Sequence, residues 1–255
     1  MTASDTATSL VSTTYQDDIA WLEFDGSRAF DGTFWSDITE ALRSIDTNRV
    51  TCVVLFGGPS FAVGNSAAWL SRTVGSAVRR GQDASALIVA GDAPREAARA
   101  LDSLPVVTIA IVSGEATGAG LELACRCDLR IGIGSVAVRL PEGHLGVLPD
   151  LAPLKLLDTV LGARLVRDLL LTGQLRVLDQ NMPHDFIDHW ASSENDARQH
   201  LSKLGPTLAT GPILPAIRRA NDRHDHAVAA AALNADICSA PEFRKAVSQW
   251  VKEQT

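Results

Sequence analysis

Residues 106–128 read Val-Val-Thr-Ile-Ala-Ile-Val-Ser-Gly-Glu-Ala-Thr-Gly-Ala-Gly-Leu-Glu-Leu-Ala-Cys-Arg-Cys-Asp, and no other stretch narrows the possible folds as much. The apolar run over 106–112 has the length and β-branched content of a strand buried on both faces, which is the signature of an α/β sheet. A glycine-bearing turn is expected over 113–120, leading into a helix over 121–127. A strand feeding such a turn leaves the first N–H groups of the helix without partners, so they can face a cleft and hold negative charge. Gly118 and Gly120 flank Ala119, letting the backbone approach a ligand oxygen, and the Ala119 N–H is a candidate oxyanion donor. Glu122 lies three residues on, on the same helical face.

The flanking sequence repeats the α/β rhythm. A half-buried strand is expected over 18–24, an amphipathic helix over 33–46 and an apolar strand over 50–56, ended by Gly57-Gly58-Pro59. A further strand follows over 128–133. Two or three helices broken at Gly81 and at 91–94 fit 62–104. Residues 151–171 read as helical, and alanine-rich amphipathic stretches run on from 191. The expected organisation is a disordered N-terminus over 1–14, an α/β core over 15–190 and a helical segment over 191–255. No sequence period of 20 to 50 residues is visible.

Composition excludes several classes. At 255 residues, 46% hydrophobic and 21% charged, the chain can bury a core without disulfides or metal. A net charge of -7 gives no general attraction to nucleic acid. No apolar run reaches the roughly 18 to 20 residues of a membrane span, and residues 1–9 lack the pattern of a signal peptide, so the expectation is cytoplasmic, with no membrane partner. Cys52, Cys125, Cys127 and Cys238 are scattered, which suits buried thiols better than a disulfide framework or a zinc site.

Two further pieces carry chemistry. Residues 53–66 run from a strand into Phe61-Ala62-Val63-Gly64-Asn65-Ser66, a second glycine-bearing loop that can offer one more backbone donor. Residues 139–150 read Arg-Leu-Pro-Glu-Gly-His-Leu-Gly-Val-Leu-Pro-Asp. Between Glu122 and Glu142 the chain leaves on a short helix and returns on a strand of similar reach, which can bring both carboxylates to one site.

Together, the glycine turn with its helix glutamate and Cys-Asp end, the preceding Phe-Ala-x-Gly loop and the later Pro-Glu-x-x-x-Gly turn resemble the crotonase (enoyl-CoA hydratase/isomerase) superfamily over roughly residues 15–175. The resemblance implies an α/β fold, a crotonase-like spiral of ββα units with a C-terminal helical segment that builds a homotrimer or hexamer. It implies hydration of a trans-2-enoyl-CoA thioester: Glu122 and Glu142 hold a water between them, and the N–H groups of Asn65 and Ala119 form the oxyanion hole. Asp150 stands where relatives that isomerise dienoyl thioesters carry an acid. Arg28, Ala62, Gly64, Ser66, Gly118, Pro141 and Leu145 fall at substrate-binding positions. No cofactor or metal is implied, coenzyme A being part of the substrate.

Departures are visible. Asn65 and Ser66 replace the usual alanine and aspartate, residues 27–32 lose a proline and an asparagine, and residues 177–186 replace an Ala-x-x-x-Gly-Leu-Val segment. Plainer readings stand beside the functional ones: Glu122 as a solvated helix residue, Glu142 as a turn residue, Asp150 as an N-cap, and His144, His224 and His226 as surface groups. A Ser/His/Asp triad lacks its Gly-x-Ser-x-Gly elbow. A nicotinamide enzyme would place the glycine loop near the N-terminus and use a Tyr-x-x-x-Lys pair, whereas the only tyrosine is Tyr15. A noncatalytic subunit that binds a thioester remains the other class.

Overall fold

A computed structural model of the chain describes residues 9–70, 72, 92–182, 184–220, 245 and 249. The strands are β1 (Val11–Gln16), β2 (Ile19–Phe24), β3 (Cys52–Phe56), β4 (Val107–Thr117), β5 (Leu129–Arg139), β6 (Arg176–Leu178) and β7 (His189–Ala191). The described helices are α1 (Gly32–Ser44), α2 (Asp92–Ser103), α3 (Ala119–Arg126), α4 (Glu142–Leu145), α5 (Leu154–Leu157), α6 (Ala163–Thr172), α7 (Glu194–Leu204) and α8 (Ile213–Ala220). One mixed sheet runs in the order β1-β2-β3-β4-β5-β6, with β7 also paired to β5. The β2, β3, β4 and β5 strands are mutually parallel, as helical crossovers require.

Side-chain alternation splits the core between the two faces of this sheet. Ala20, Leu22, Val53, Leu55, Ala110 and Val112 face α1, α2 and α3. On the other face Ile19, Trp21, Cys52, Val54, Ile109 and Ile111 meet Ala197 and Leu201 of α7 and Leu214 of α8. Arg218 fixes α8 from within: its guanidinium pairs with Asp128 and donates to the carbonyls of Leu104 (2.6 Å) and Val106 (2.9 Å).

Two local expectations are corrected. Residues 11–14, expected to be disordered, belong to β1, which pairs antiparallel with β2 from Val11↔Phe24 to Gln16↔Ile19. Asp17 and Asp18 both take positive φ (51° and 59°), the conformation of a two-residue hairpin turn, without the usual glycine. Residues 113–117, expected to turn, continue β4. The register shifts between Ser113 and Gly114, leaving Gly134 and Ser135 of β5 unpaired, and Gly114 (φ 56°) lets the strand bend and go on. Beyond the bend, Ala116 bridges to Ala62, and Val136–Val138 pair with β6. Residues 71 and 73–91, including Gly81, lie outside the described residues, as do Cys238, His224, His226 and most of 221–255.

Candidate active site

The bend in β4 brings loop 61–66 alongside the strand: Phe61 N–H donates to Ser113 O (2.8 Å), Ala62 N–H to Glu115 O (2.9 Å) and Thr117 N–H to Ala62 O (2.9 Å). The loop then presses on the start of α3. A Cβ on Gly120 would stand 2.3 Å from the Ala62 Cβ, so only glycine permits this approach. A Cβ on Gly64 would lie 2.7 Å from Thr117 O and 3.7 Å from the Ala119 nitrogen, which places the two loops side by side.

Asn65 is gripped on both sides. Phe30 N–H donates to Gly64 O (2.8 Å) and Ser66 N–H to Phe30 O (2.7 Å), the pattern of a parallel bridge centred on Asn65. In that geometry the N–H of Asn65 points away from Phe30. Neither the Asn65 nor the Ala119 N–H donates to another backbone group among the described residues. Two adjacent donors without backbone acceptors are what an oxyanion hole requires.

Around these donors stand three carboxyls. Glu142 opens α4, and a Cβ on Gly118 would sit 3.0 Å from its Oε1, next to the Ala119 N–H. Its Oε2 is buried without a partner among the described residues. Burial pushes this carboxyl up to about 7, Asp150 adds to the rise, and its own backbone N–H and Arg139 oppose it. Glu122, in the first turn of α3, is 2% exposed. Burial, then the charges of Glu142 and Asp150, hold it well above the carboxylate range against the Ala152 and Leu151 N–H groups. Its Oε2 accepts from Ala152 N–H (2.7 Å), while Arg126, one helical turn on, donates to Leu151 O. The peptide group joining Leu151 to Ala152 is thus held at both ends by α3.

Asp150 is also raised by burial, and Arg95 opposes this. Arg95, on α2 and nearly buried, reaches Asp150 Oδ2 at 3.3 Å and Asp92 at 3.0 Å. Three acids in electrostatic contact cannot all ionise near neutrality, so the group retains protons there. A site that keeps a carboxylic acid and a carboxylate beside paired N–H donors can move protons to and from a carbonyl compound whose oxygen becomes negative.

The remaining sequence candidates occupy varied places. Gly118 (φ 50°) precedes α3 and its N–H donates to Arg139 O (2.9 Å). Pro141 packs on that glycine, its Cγ 3.6 Å from where a Cβ would stand. Leu145 is buried in α4. Ser66 caps a helical turn, its Oγ accepting from Trp69 N–H (3.3 Å). Ala62 is fully buried, its backbone taken by β4 and its Cβ by Gly120, so it shapes the site from behind. Arg28 is exposed on the turn after β2, where Arg28 N–H donates to Asp25 O (3.1 Å). His144 packs its ring over Gly173. Cys52, Cys125 and Cys127 are buried. Among the described residues no group of three or more His, Cys, Asp or Glu could hold a metal, and no helix is long and apolar enough to cross a membrane. Sequence reasoning missed Arg95 beside Asp150 and Trp35, whose indole Nε1–H donates to Asn65 Oδ1 (2.9 Å).

Comparison with known proteins bears on the family and the fold. The sequence profile described as Enoyl-CoA hydratase/isomerase matches residues 18–181. The Bacillus subtilis protein YngF, named as an enoyl-CoA hydratase/isomerase, is 31% identical over 121 residues, covering 47% of this chain and 45% of that protein. Mouse enoyl-CoA hydratase domain-containing protein 2 is 43% identical over 72 residues, 28% of this chain and 24% of that one. The matched part spans less than half the length of these relatives. Among solved structures, an enoyl-CoA hydratase from Bacillus halodurans superposes with a TM-score of 0.77 at 18% identity, covering 94% of this chain and all of that one. A methylmalonyl-CoA decarboxylase superposes at 0.75 and 19% identity, with 97% of each chain covered.

Proposed function

The chain belongs to the enoyl-CoA hydratase/isomerase family, and from that premise we propose that it adds water across the double bond of a trans-2-enoyl-CoA thioester, giving the 3-hydroxyacyl-CoA. The observation that carries the reading is the placement of Glu142 Oε1 beside Gly118 and the Ala119 N–H, with buried Glu122 electrostatically coupled to it. The thioester oxygen accepts from the Asn65 and Ala119 N–H groups, which polarises the β-carbon. Water lies between the two glutamates. The carboxylate takes one proton from the water as its oxygen bonds to the β-carbon, and the carboxylic acid of the pair delivers its proton to the α-carbon. The pair begins and ends with one proton, and the deeper burial of Glu122 favours it as the initial holder. Each oxyanion donor contributes on the order of 10²–10³ in rate.

Isomerisation through Asp150 is the second reading, favoured by its partial exposure of 37% and its electrostatic contact with both glutamates. Hydration is preferred because Arg95 holds Asp150 as an ion pair, which opposes its service as a proton carrier. The same decarboxylase likeness shows that this fold accommodates more than one reaction, so the carboxyls and not the fold support hydration. The reading includes assembly as a homotrimer or hexamer through the segment from 191 onward, a cytoplasmic location, and no cofactor beyond the substrate's coenzyme A.

The test is loss of enoyl-thioester absorbance on mixing the protein with crotonyl-CoA and longer enoyl-CoAs. Turnover that falls by at least about 10² in Glu122→Gln and in Glu142→Gln supports the proposal. No turnover at any chain length, with acyl-CoA binding unchanged in both variants, indicates a binding subunit instead. Loss of double-bond migration in Asp150→Asn with hydration retained would assign isomerisation to Asp150.

A further inference from the structure

We infer that Trp35 is a positioning residue for the oxyanion hole, acting through the side chain of Asn65; the inference rests on the hydration reading above. Trp35 lies in α1 and is completely buried, so its indole N–H must find an acceptor inside the protein. It donates to Asn65 Oδ1 at 2.9 Å, across 30 residues of chain. The same loop residue sits in the bridge to Phe30, whose backbone holds Gly64 and Ser66 on either side. The anchors themselves are stiff. Phe30 stacks on Phe34 (ring centroids 3.6 Å apart, planes 4° apart), and both meet Trp35 edge-on at 5.3 and 5.2 Å.

Bridge bonds fix the peptide groups around Asn65 along the chain direction but leave rotation about that direction opposed only by packing. The bond from Trp35 supplies a third, off-axis point. With backbone and side chain both held, the remaining Asn65 N–H has one direction, away from Phe30. Alanine at position 65, the residue usual among resembling sequences, would keep the donor and lose this third point. In this chain the asparagine and the tryptophan therefore form one device, and loss of either partner disables it.

The experiment uses the full-length protein, crotonyl-CoA turnover, and the absorbance of a bound 4-dimethylaminocinnamoyl-CoA, whose band moves to the red as hydrogen bonds polarise its thioester carbonyl. Complete loss of an oxyanion donor lowers kcat by 10²–10³, and a donor that is present but less well aimed should lower it by about tenfold. Trp35→Phe and Asn65→Ala are each expected to lower kcat by about tenfold, leave KM within about twofold and shrink the red shift. The double variant should be no worse than either single one. Asn65→Ala leaves the aromatic cluster intact, so it keeps the inference falsifiable if Trp35→Phe folds poorly. A full red shift and full kcat in Asn65→Ala, or strictly multiplicative losses in the double variant, overturn the role of Trp35 alone. A wild-type protein with neither turnover nor red shift overturns the hydration reading and this inference with it.

Discussion

Replacing Glu142 with glutamine keeps the size and shape of the side chain and removes one titrating proton, so its effect on stability must change with pH in a direction fixed by the site. Burial holds the folded-state carboxyl at about 7, against an ordinary value of 4.5. A raised carboxyl binds its proton more tightly in the folded state. Its contribution is complete below 4.5 and is lost as pH rises through about 7. At about 1.4 kcal/mol per pH unit, the separation corresponds to about 3 kcal/mol. The residue is half-buried rather than fully enclosed, and solvent screening reduces the expected effect to about 2 kcal/mol. Glutamine carries no such penalty, and removing the Glu142 charge also relieves Glu122. Urea unfolding followed by circular dichroism at pH 5 and pH 8, at one protein concentration, measures both proteins with comparable slopes. From pH 5 to pH 8, Glu142→Gln should gain about 2 kcal/mol on the wild type. A difference that stays constant, or moves in favour of the wild type at pH 8, would refute the account of a buried, proton-retaining acid.

Other consequences follow from the same geometry. The pH profile of kcat/KM should rise through about 7 as Glu142 ionises, then fall at higher pH as the pair loses its last proton; a profile flat from pH 6 to 9 would contradict the shared-proton mechanism. Gly120→Ala forces its new methyl against Ala62 and should cost at least about 10² in kcat with the circular dichroism spectrum unchanged. Arg218→Met removes the ion pair with Asp128, whose Oδ2 keeps its bonds from the Thr108 N–H and hydroxyl, and should destabilise the protein by about 3 kcal/mol, read as a lower urea midpoint. Arg218 lowers the Asp128 carboxyl against the opposing effect of burial, so the wild type's advantage over this variant should diminish as pH falls through the acid range.

The strand over 106–112, the helix that follows and the convergence of Glu122 with Glu142 were legible because each leaves a local mark: an apolar run, a glycine pair, or a chain path whose outward and return lengths match. The β1 hairpin was not, because its turn uses Asp17 and Asp18 in a conformation for which glycine or asparagine is the usual signal. The continuation of β4 past Gly114 was hidden by the residue that permits it, since a glycine after a strand reads equally as an end and as a bend. Arg95 beside Asp150 and Trp35 beside Asn65 join residues 55 and 30 positions apart. Such pairs have no periodicity, and only the packing of α2 and α1 against the sheet brings them together. Ala62 shows the reverse: its position in the motif was legible, while its service as a buried wall emerged only with the Gly120 contact.

The peptide group between Leu151 and Ala152, gripped by Glu122 at its N–H and by Arg126 at its carbonyl, has a consequence for the shape of the product. A carboxyl fastened to the backbone on its far side cannot swivel to follow a reactant, so it meets the planar enoyl group from one side only. Under the proposed hydration Glu122 then protonates the α-carbon from that side alone, and the water held between it and Glu142 reaches the β-carbon from the same side, giving a single configuration at the new carbinol centre. The handedness of the proposed product would thus depend in part on a contact that touches no substrate atom.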